Sequence, residues 1–265
     1  MTSEIESRLQ LALQLAEEAQ EFILQHYQNK SLEVELKGDS SPVTIADRGA
    51  EELIRKRLAE VHPGDGVVGE EFDDKESDNG YKWILDPIDG TKSFVHGIPL
   101  FGTLIGIEKE GEMVAGLCRF PGLDDVVYAH NGGGAWWKKG ANAPERCHVS
   151  TKSKLSESLV CITDIKLWDT KGIRDLLSEF GAKARLLRNW GDCYGHAMVA
   201  TGRAEVILEP EMNPWDASPF LPILREAGGH YLNWDGEETI YGSNGISVNA
   251  ALKDEIISMI KDHQS

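Results

Sequence analysis

Residues 83–91 read Trp83-Ile84-Leu85-Asp86-Pro87-Ile88-Asp89-Gly90-Thr91, an apolar strand that runs straight into two carboxylates and then a glycine-led helix start. Pro87 has no N–H to give to a sheet ladder and restrains the turn. The Asp86 carboxylate, the Ile88 carbonyl and the Asp89 carboxylate are thereby free to point at one spot outside the sheet, and hard cations take such oxygen ligands. Gly90 and Thr91 open the following helix, where backbone N–H groups and the positive end of the dipole favour a phosphate group. Read alone, the same word also describes a helix capped by Asp89 after a turn begun by Asp86.

Two more segments shift that balance. Gly69-Glu70-Glu71 ends a second predicted strand at Val67-Val68, and Pro214-Trp215-Asp216 supplies a fourth carboxylate. Four acids meeting at one point raise one another's pKa and repel unless cations neutralise them.

Around these motifs the apolar spacing predicts helices over Ser3–Gln28 and Thr44–Val61, the second stopped by His62-Pro63-Gly64. Shorter periods predict strands at Lys82–Leu85, Phe101–Glu108, Met113–Phe120 and Val126–Ala129, a mostly antiparallel meander, with Trp136-Trp137 packing the sheet edge. The second half alternates: strands Leu159–Thr163, Ala184–Leu187 and Ala204–Leu208 with helices Thr170–Phe180, Asp192–Ala200 and Ala217–Ala227. Strand Gly245–Asn249 and a helix from Lys253 close it. A composition shift between Gly140 and Ser153 divides one unit into two lobes, residues 1–145 with most of the acidic motifs and 146–265 with Asp216.

The chain has 265 residues, 41% hydrophobic, and 44 acidic against 27 basic residues give a formal charge of −17. That field repels phosphate backbones, so nucleic acid is not an expected partner. The four cysteines form no CxxC pair and read as reduced and buried. Glu4 and Glu6 stand where a leader would carry positive charge, and no eighteen-residue apolar run exists, so the expectation is a cytoplasmic protein without a membrane span.

Taken in order, Gly-Glu-Glu at 69–71, Asp-Pro-Ile-Asp-Gly-Thr at 86–91 and Trp-Asp at 215–216 resemble the inositol monophosphatase family. Thr44-Ile45-Ala46-Asp47 before a helix and Glu226-Ala227-Gly228-Gly229 extend the resemblance over nearly the whole chain. It implies an α/β (α+β) fold of the layered αβαβα sandwich type, a site between the lobes, two or three Mg²⁺ ions, a homodimer, and hydrolysis of a small phosphate monoester. By motif, Glu70, Asp86 and the Ile88 carbonyl would bind the first ion and Asp86, Asp89 and Asp216 the second, with a third leaning on Glu70. Thr91 and Asp47 would orient the attacking water and take its proton, and Gly90 and Thr91 would cradle the phosphate. The bland alternative for Asp47 is a first-turn acid that suits the helix dipole.

Lys92-Ser93-Phe94, Gly97-Ile98-Pro99, Phe101-Gly102-Thr103-Leu104 and Trp190-Gly191-Asp192-Cys193-Tyr194 are similar to the histidinol-phosphate phosphatase branch. Asp192 and Glu209, with Asp89, would then contact substrate. An acidic pair suits a leaving group carrying an ammonium and an imidazole, because charge-assisted hydrogen bonds are the stronger kind. Asp192 reads equally as a helix N-cap. His196, one turn further on, reads as structural. Inositol-1-monophosphatase and 3′(2′),5′-bisphosphate nucleotidase activities are the alternatives within the family, and a non-catalytic scaffold is the alternative outside it.

Overall fold

Leu9, Ala12, Leu15, Ala16, Ala19 and Ile23 recur at helical spacing, and in the computed structural model they form the buried stripe of α1 (Thr2–His26). The structure describes residues 2–29, 34–36 and 42–264. After α1 come β1 (Val34–Leu36), β2 (Pro42–Thr44), α2 (Ile45–Val61), β3 (Gly66–Gly69), β4 (Tyr81–Asp89), α3 (Thr91–Val95), β5 (Gly102–Lys109), β6 (Glu112–Phe120), β7 (Asp125–His130), β8 (Gly134–Lys139) and β9 (Glu145–Arg146). The chain continues with β10 (Leu159–Ile162), α4 (Ile165–Thr170), α5 (Arg174–Lys183), β11 (Leu186–Arg188), α6 (Asp192–Ala200), β12 (Val206–Glu209), α7 (Pro214–Ala217), α8 (Phe220–Glu226), β13 (Gly229–Leu232), β14 (Gly245–Asn249) and α9 (Lys253–Gln264).

Two sheets organise these elements. Strands β3 to β9 lie in sequence order in a seven-stranded sheet, parallel between β3 and β4 and antiparallel elsewhere. The five-stranded sheet runs β11-β10-β12-β14-β13, with parallel pairs on either side of β10 and antiparallel pairs on either side of β14.

Strand alternation then dictates the layers, because successive side chains face opposite sides. Trp83 and Leu85 of β4 and Ile105 and Ile107 of β5 share a cluster with Ala16, Ile23 and Ile54 of α1 and α2. Ile84 and Leu104 point the other way and join Ala197 of α6, Phe220 and Ile223 of α8, and Cys161 and Ile207 of the second sheet. The far face of that sheet, with Val160, Val206, Leu208 and Val248, packs on Trp168, Phe180 and Ile256 of α4, α5 and α9. The order is thus helix, sheet, helix, sheet, helix, the αβαβα sandwich expected from the resemblance. Burying each large aliphatic in these seams contributes ~1.5–3 kcal/mol.

Several expected elements change in detail. The single helix expected over Thr170–Phe180 is two, α4 and α5, parted at Lys171-Gly172, where Gly172 takes φ +71. The helix expected over Ala217–Ala227 divides into α7 and α8 at Ser218-Pro219, since a proline has no N–H with which to continue the ladder. Trp136 and Trp137 lie in β8, one strand in from the edge that β9 forms. Strand β13 has no counterpart among the expected elements, because Gly229-His230-Tyr231-Leu232 carries too few apolar residues to alternate visibly. Glu226 at the end of α8 accepts from the N–H groups of Gly132 and Gly134, both at 2.7 Å, and so fastens the β7–β8 hairpin to the middle layer.

Candidate active site

The decisive local feature is a bulge. Asp86 pairs with Leu104 and Asp89 with Gly102, so three steps on β4 match two on β5. In a regular strand residues three apart face opposite sides, and the extra residue brings both carboxylates to the same one. The Thr103 hydroxyl holds the bulge by donating to the Pro87 carbonyl at 2.9 Å, and the Ile88 N–H donates to Asp86 Oδ1 at 3.0 Å. Gly90 follows at φ +78, with the Leu100 carbonyl and Asp192 Oδ2 packed close to where a side chain would start. The turn therefore needs glycine for its conformation.

Asp216 arrives from α7, where the Asn213 N–H donates to its Oδ2 at 2.8 Å. Oxygen atoms of Asp86, Asp89 and Asp216 lie within 4.8 Å of one another. Glu70 follows the end of β3, placed by its N–H donating to the Leu85 carbonyl at 3.2 Å, and its side chain reaches Asp86. The four acids singled out in the sequence therefore meet at one corner.

Their electrostatics express the crowding. Asp86 is pushed well above the usual carboxylate range by burial and then by the charges of Glu70, Asp89 and Asp216. Asp89 is likewise raised by burial and by Asp192 and Asp216, against the Cys193 N–H that donates to its Oδ2 at 2.6 Å. Burial raises Asp216 to about 7, with Asn213 opposing and the Glu70 charge adding to it. Like charges held this close, all on oxygen, fit a hard divalent cation and are costly without one.

Beside this corner, the Thr91 hydroxyl lies 3.0 Å from the Ile88 carbonyl, to which it donates, and 3.5 Å from Asp47 Oδ1. Asp47 is fixed at the start of α2 by the N–H and hydroxyl of Thr44, which donate to its Oδ2 at 2.8 and 2.6 Å. Burial raises its pKa to about 6 despite those bonds. Asp47 thus combines two features: it closes a capping box in the first turn of the helix, and it faces Thr91.

On the other side opens a cavity of about 240 Å³, lined by Asp89, Asp216, Asp192 and Glu209 among others, with Lys92 at its edge. Asp192 is not the N-cap of α6. That position is Gly191, which makes no side-chain cap bond, and Asp192 follows at φ +50. Thr163 explains the geometry: a side chain on Gly191 would collide with it, its Oγ1 accepts the Asp192 N–H at 2.7 Å, and its hydroxyl donates to Glu209. Asp192 is raised to about 6, mainly by burial, with Lys92 opposing and Asp164 adding. Glu209 stands well above its ordinary value through burial and then Asp192, Asp89 and Asp216, with Thr163 opposing.

Three contributors carry no signal in the sequence. Thr163 and Cys193 act through contacts with residues 29 to 104 positions away, which no local motif marks. Glu51 is the third: it is buried on α2 where Gly69 has no side chain, accepts from Arg55 Nε at 2.7 Å and from the Glu71 N–H at 3.0 Å, and so anchors the Glu70-Glu71 turn.

A fold of this layering with four acids at a sheet end defines a class, and the chain belongs to it: residues 4–265 match the model of the inositol monophosphatase family. A histidinol-phosphatase of Chlorobaculum parvum is 43% identical over 253 residues, covering 95% of this chain and 96% of that protein. The histidinol-phosphatase of Mycobacterium tuberculosis is 33% identical over 95% of this chain and 97% of its own. Among solved structures, the extragenic suppressor protein suhB of Bartonella henselae superposes with a TM-score of 0.88 at 28% identity, over 96% of this chain and 98% of that one.

Proposed function

We propose that the protein is a Mg²⁺-dependent phosphomonoesterase whose substrate is L-histidinol phosphate. The observation that carries this reading is the convergence of Asp86, Asp89 and Asp216 within 4.8 Å, with Glu70 against Asp86. Asp86, Asp89, Asp216 and Glu70, with the remaining lone pair of the Ile88 carbonyl, would hold two or three ions. Bound there, such ions supply charge neutralisation for the phosphate and a water acidified enough to attack at neutral pH.

The chain's own groups do the rest. Asp47, with a pKa near 6, is ionised around neutrality and takes the proton of the attacking water through the Thr91 hydroxyl. Gly90 and Thr91 present the first turn of α3 to the phosphate. Asp192 and Glu209 face the leaving group and favour a cationic one, since charge-assisted hydrogen bonds reward an ammonium more than a polyol. The high identity to named histidinol-phosphatases supports the same substrate. A homodimer, carried over from the resemblance, completes the reading; among the described residues no helix is long and apolar enough to cross a membrane.

The test is a panel of initial rates with Mg²⁺ on histidinol phosphate, inositol 1-phosphate and 3′-phosphoadenosine 5′-phosphate, repeated after chelation. The reading expects the highest kcat/KM on histidinol phosphate and no turnover without the ion. Faster hydrolysis of either other ester would move the substrate to that branch. Failure on all three would leave the scaffold.

A further inference from the structure

Asp47, Glu51 and Arg55 recur every fourth residue along α2, and that spacing puts all three on one face of the helix. Asp47 faces Thr91. The other two face the irregular segment that follows β3, which carries Glu70 at its first position. Glu51 is fully buried, a costly place for a carboxylate whose oxygens are not hydrogen-bonded. Both of them are. Oε1 accepts from Arg55 Nε at 2.7 Å, and Oε2 accepts from the Glu71 N–H at 3.0 Å. The guanidinium extends the contact: Nη1 donates to the Asp73 carbonyl at 3.0 Å and Nη2 to the Phe72 carbonyl at 3.2 Å. Gly69 permits the approach, since a Cβ there would stand 2.1 Å from Glu51 Oε1. Two side chains of one helix thus hold backbone groups of three consecutive residues.

Glu70 lies where sheet pairing hands over to this clamp. Its own N–H donates to the Leu85 carbonyl of β4, and the next N–H along the chain, that of Glu71, donates to Glu51. The peptide planes on both sides of the Glu70 Cα are therefore fixed, one by the sheet and one by α2. With both planes fixed, the direction in which the Glu70 side chain leaves the backbone is fixed as well, and that side chain reaches Asp86.

We propose that Glu51, braced by Arg55, is a positioning residue for metal binding: it fixes the peptide after Glu70 and so holds the Glu70 carboxylate beside Asp86, where a divalent cation needs it. The inference rests on the proposed metal-dependent activity and adds to it residues outside the ligand set that govern affinity for the ion. A pair that served only to fasten the segment to α2 would change stability and leave that affinity alone.

The experiment titrates Mn²⁺ calorimetrically into the metal-free protein without substrate, and measures the Mg²⁺ half-saturation of turnover alongside. Glu51→Gln keeps the shape of the side chain but turns an NH₂ group toward either the Glu71 N–H or the Arg55 guanidinium, donor against donor. Its Kd for Mn²⁺ should rise roughly 10- to 100-fold, the range seen when a partner behind a metal ligand is lost, and half-saturation should rise in parallel. Arg55→Lys, on the more exposed partner, replaces a fork by a single ammonium and should shift Kd the same way by a smaller factor, which keeps the test in force if Glu51→Gln does not fold. Because the effect is exerted through Glu70, adding Glu51→Gln to Glu70→Gln should raise Kd by no more than about threefold further. Wild-type Kd in Glu51→Gln or, should that variant not fold, in Arg55→Lys overturns the inference, however far Tm falls, and so does a full, additive loss in the double variant. A wild type that binds no Mn²⁺ overturns the metal reading itself, and the inference with it.

Discussion

The two sheets serve the cavity in opposite ways. The seven-stranded sheet delivers Asp86, Asp89, Gly90 and Thr91 from one continuous stretch, rigidified by a bulge whose carbonyl is tied to Thr103. From the other side Thr163 follows β10, Asp192 and His196 lie on α6, and Glu209 ends β12; the Thr163 side chain ties Asp192 to Glu209. On the proposed function, the first region gathers charge for the phosphate chemistry and the second shapes the space for the leaving group. Chemistry would then be written locally and selectivity spread over several elements, so substitutions on the two sides should separate turnover from choice.

The largest expected effect breaks the first region. Asp89→Asn removes an oxygen ligand and should lower kcat by ~10³ or more, as for loss of a principal electrostatic stabiliser. The metal-free variant should melt higher than metal-free wild type, because it removes the Asp89 charge that repels Asp86, Asp192 and Asp216. Initial rates and calorimetry read both, and a wild-type rate would remove Asp89 from the site.

Asp47→Asn should cost ~10²–10⁴ in kcat, the usual share of a general base. Its signature is in the pH profile. Wild-type activity needs the ionised carboxylate and should fall below about pH 6, and in Asp47→Asn that acid limb should disappear. An unchanged limb would assign the proton to another group.

Asp192→Asn tests the second region and should be milder. A charge-assisted hydrogen bond to the ammonium contributes about 1.5–3 kcal/mol, so kcat/KM on histidinol phosphate should drop by roughly 10- to 100-fold. A neutral ester should lose much less. Equal losses on both would discard the contrast between the two sides.

The smallest effect is thermodynamic. Asp86, Asp89 and Asp216 hold their protons more tightly folded than unfolded, Asp216 up to about 7. The stability they contribute is full below the ordinary carboxylate value of 3.8 and is lost as pH rises through the folded values. Metal-free protein should therefore show a falling Tm between about pH 4 and 7 from these groups, and saturating Mg²⁺ should flatten that slope. A slope indifferent to Mg²⁺ would contradict it.

The same asymmetry governs how much of the molecule is legible in its sequence. The 86–91 word is legible because proline, glycine and two acids at fixed spacing constrain a single turn, and Glu70 and Asp216 follow as further acidic motifs. That they meet is not legible, since convergence depends on the bulge at Pro87-Ile88 and on the seating of α7. Asp192 resembles a cap because sequence does not display φ +50, a conformation Thr163 supports from 29 residues away. His196 reads as structural, which its Ser247 bond and Phe220 stacking support. The breaks at Gly172 and Pro219 are hidden because flanking apolar residues keep their helical period across both.

The most direct test of the central claim is anomalous diffraction from crystals grown with Mn²⁺ in place of Mg²⁺. The account predicts peaks bonded to oxygens of Glu70, Asp86, Asp89 and Asp216 at the end of β4. Metal density confined to other surfaces, with these four carboxylates unliganded, would contradict it.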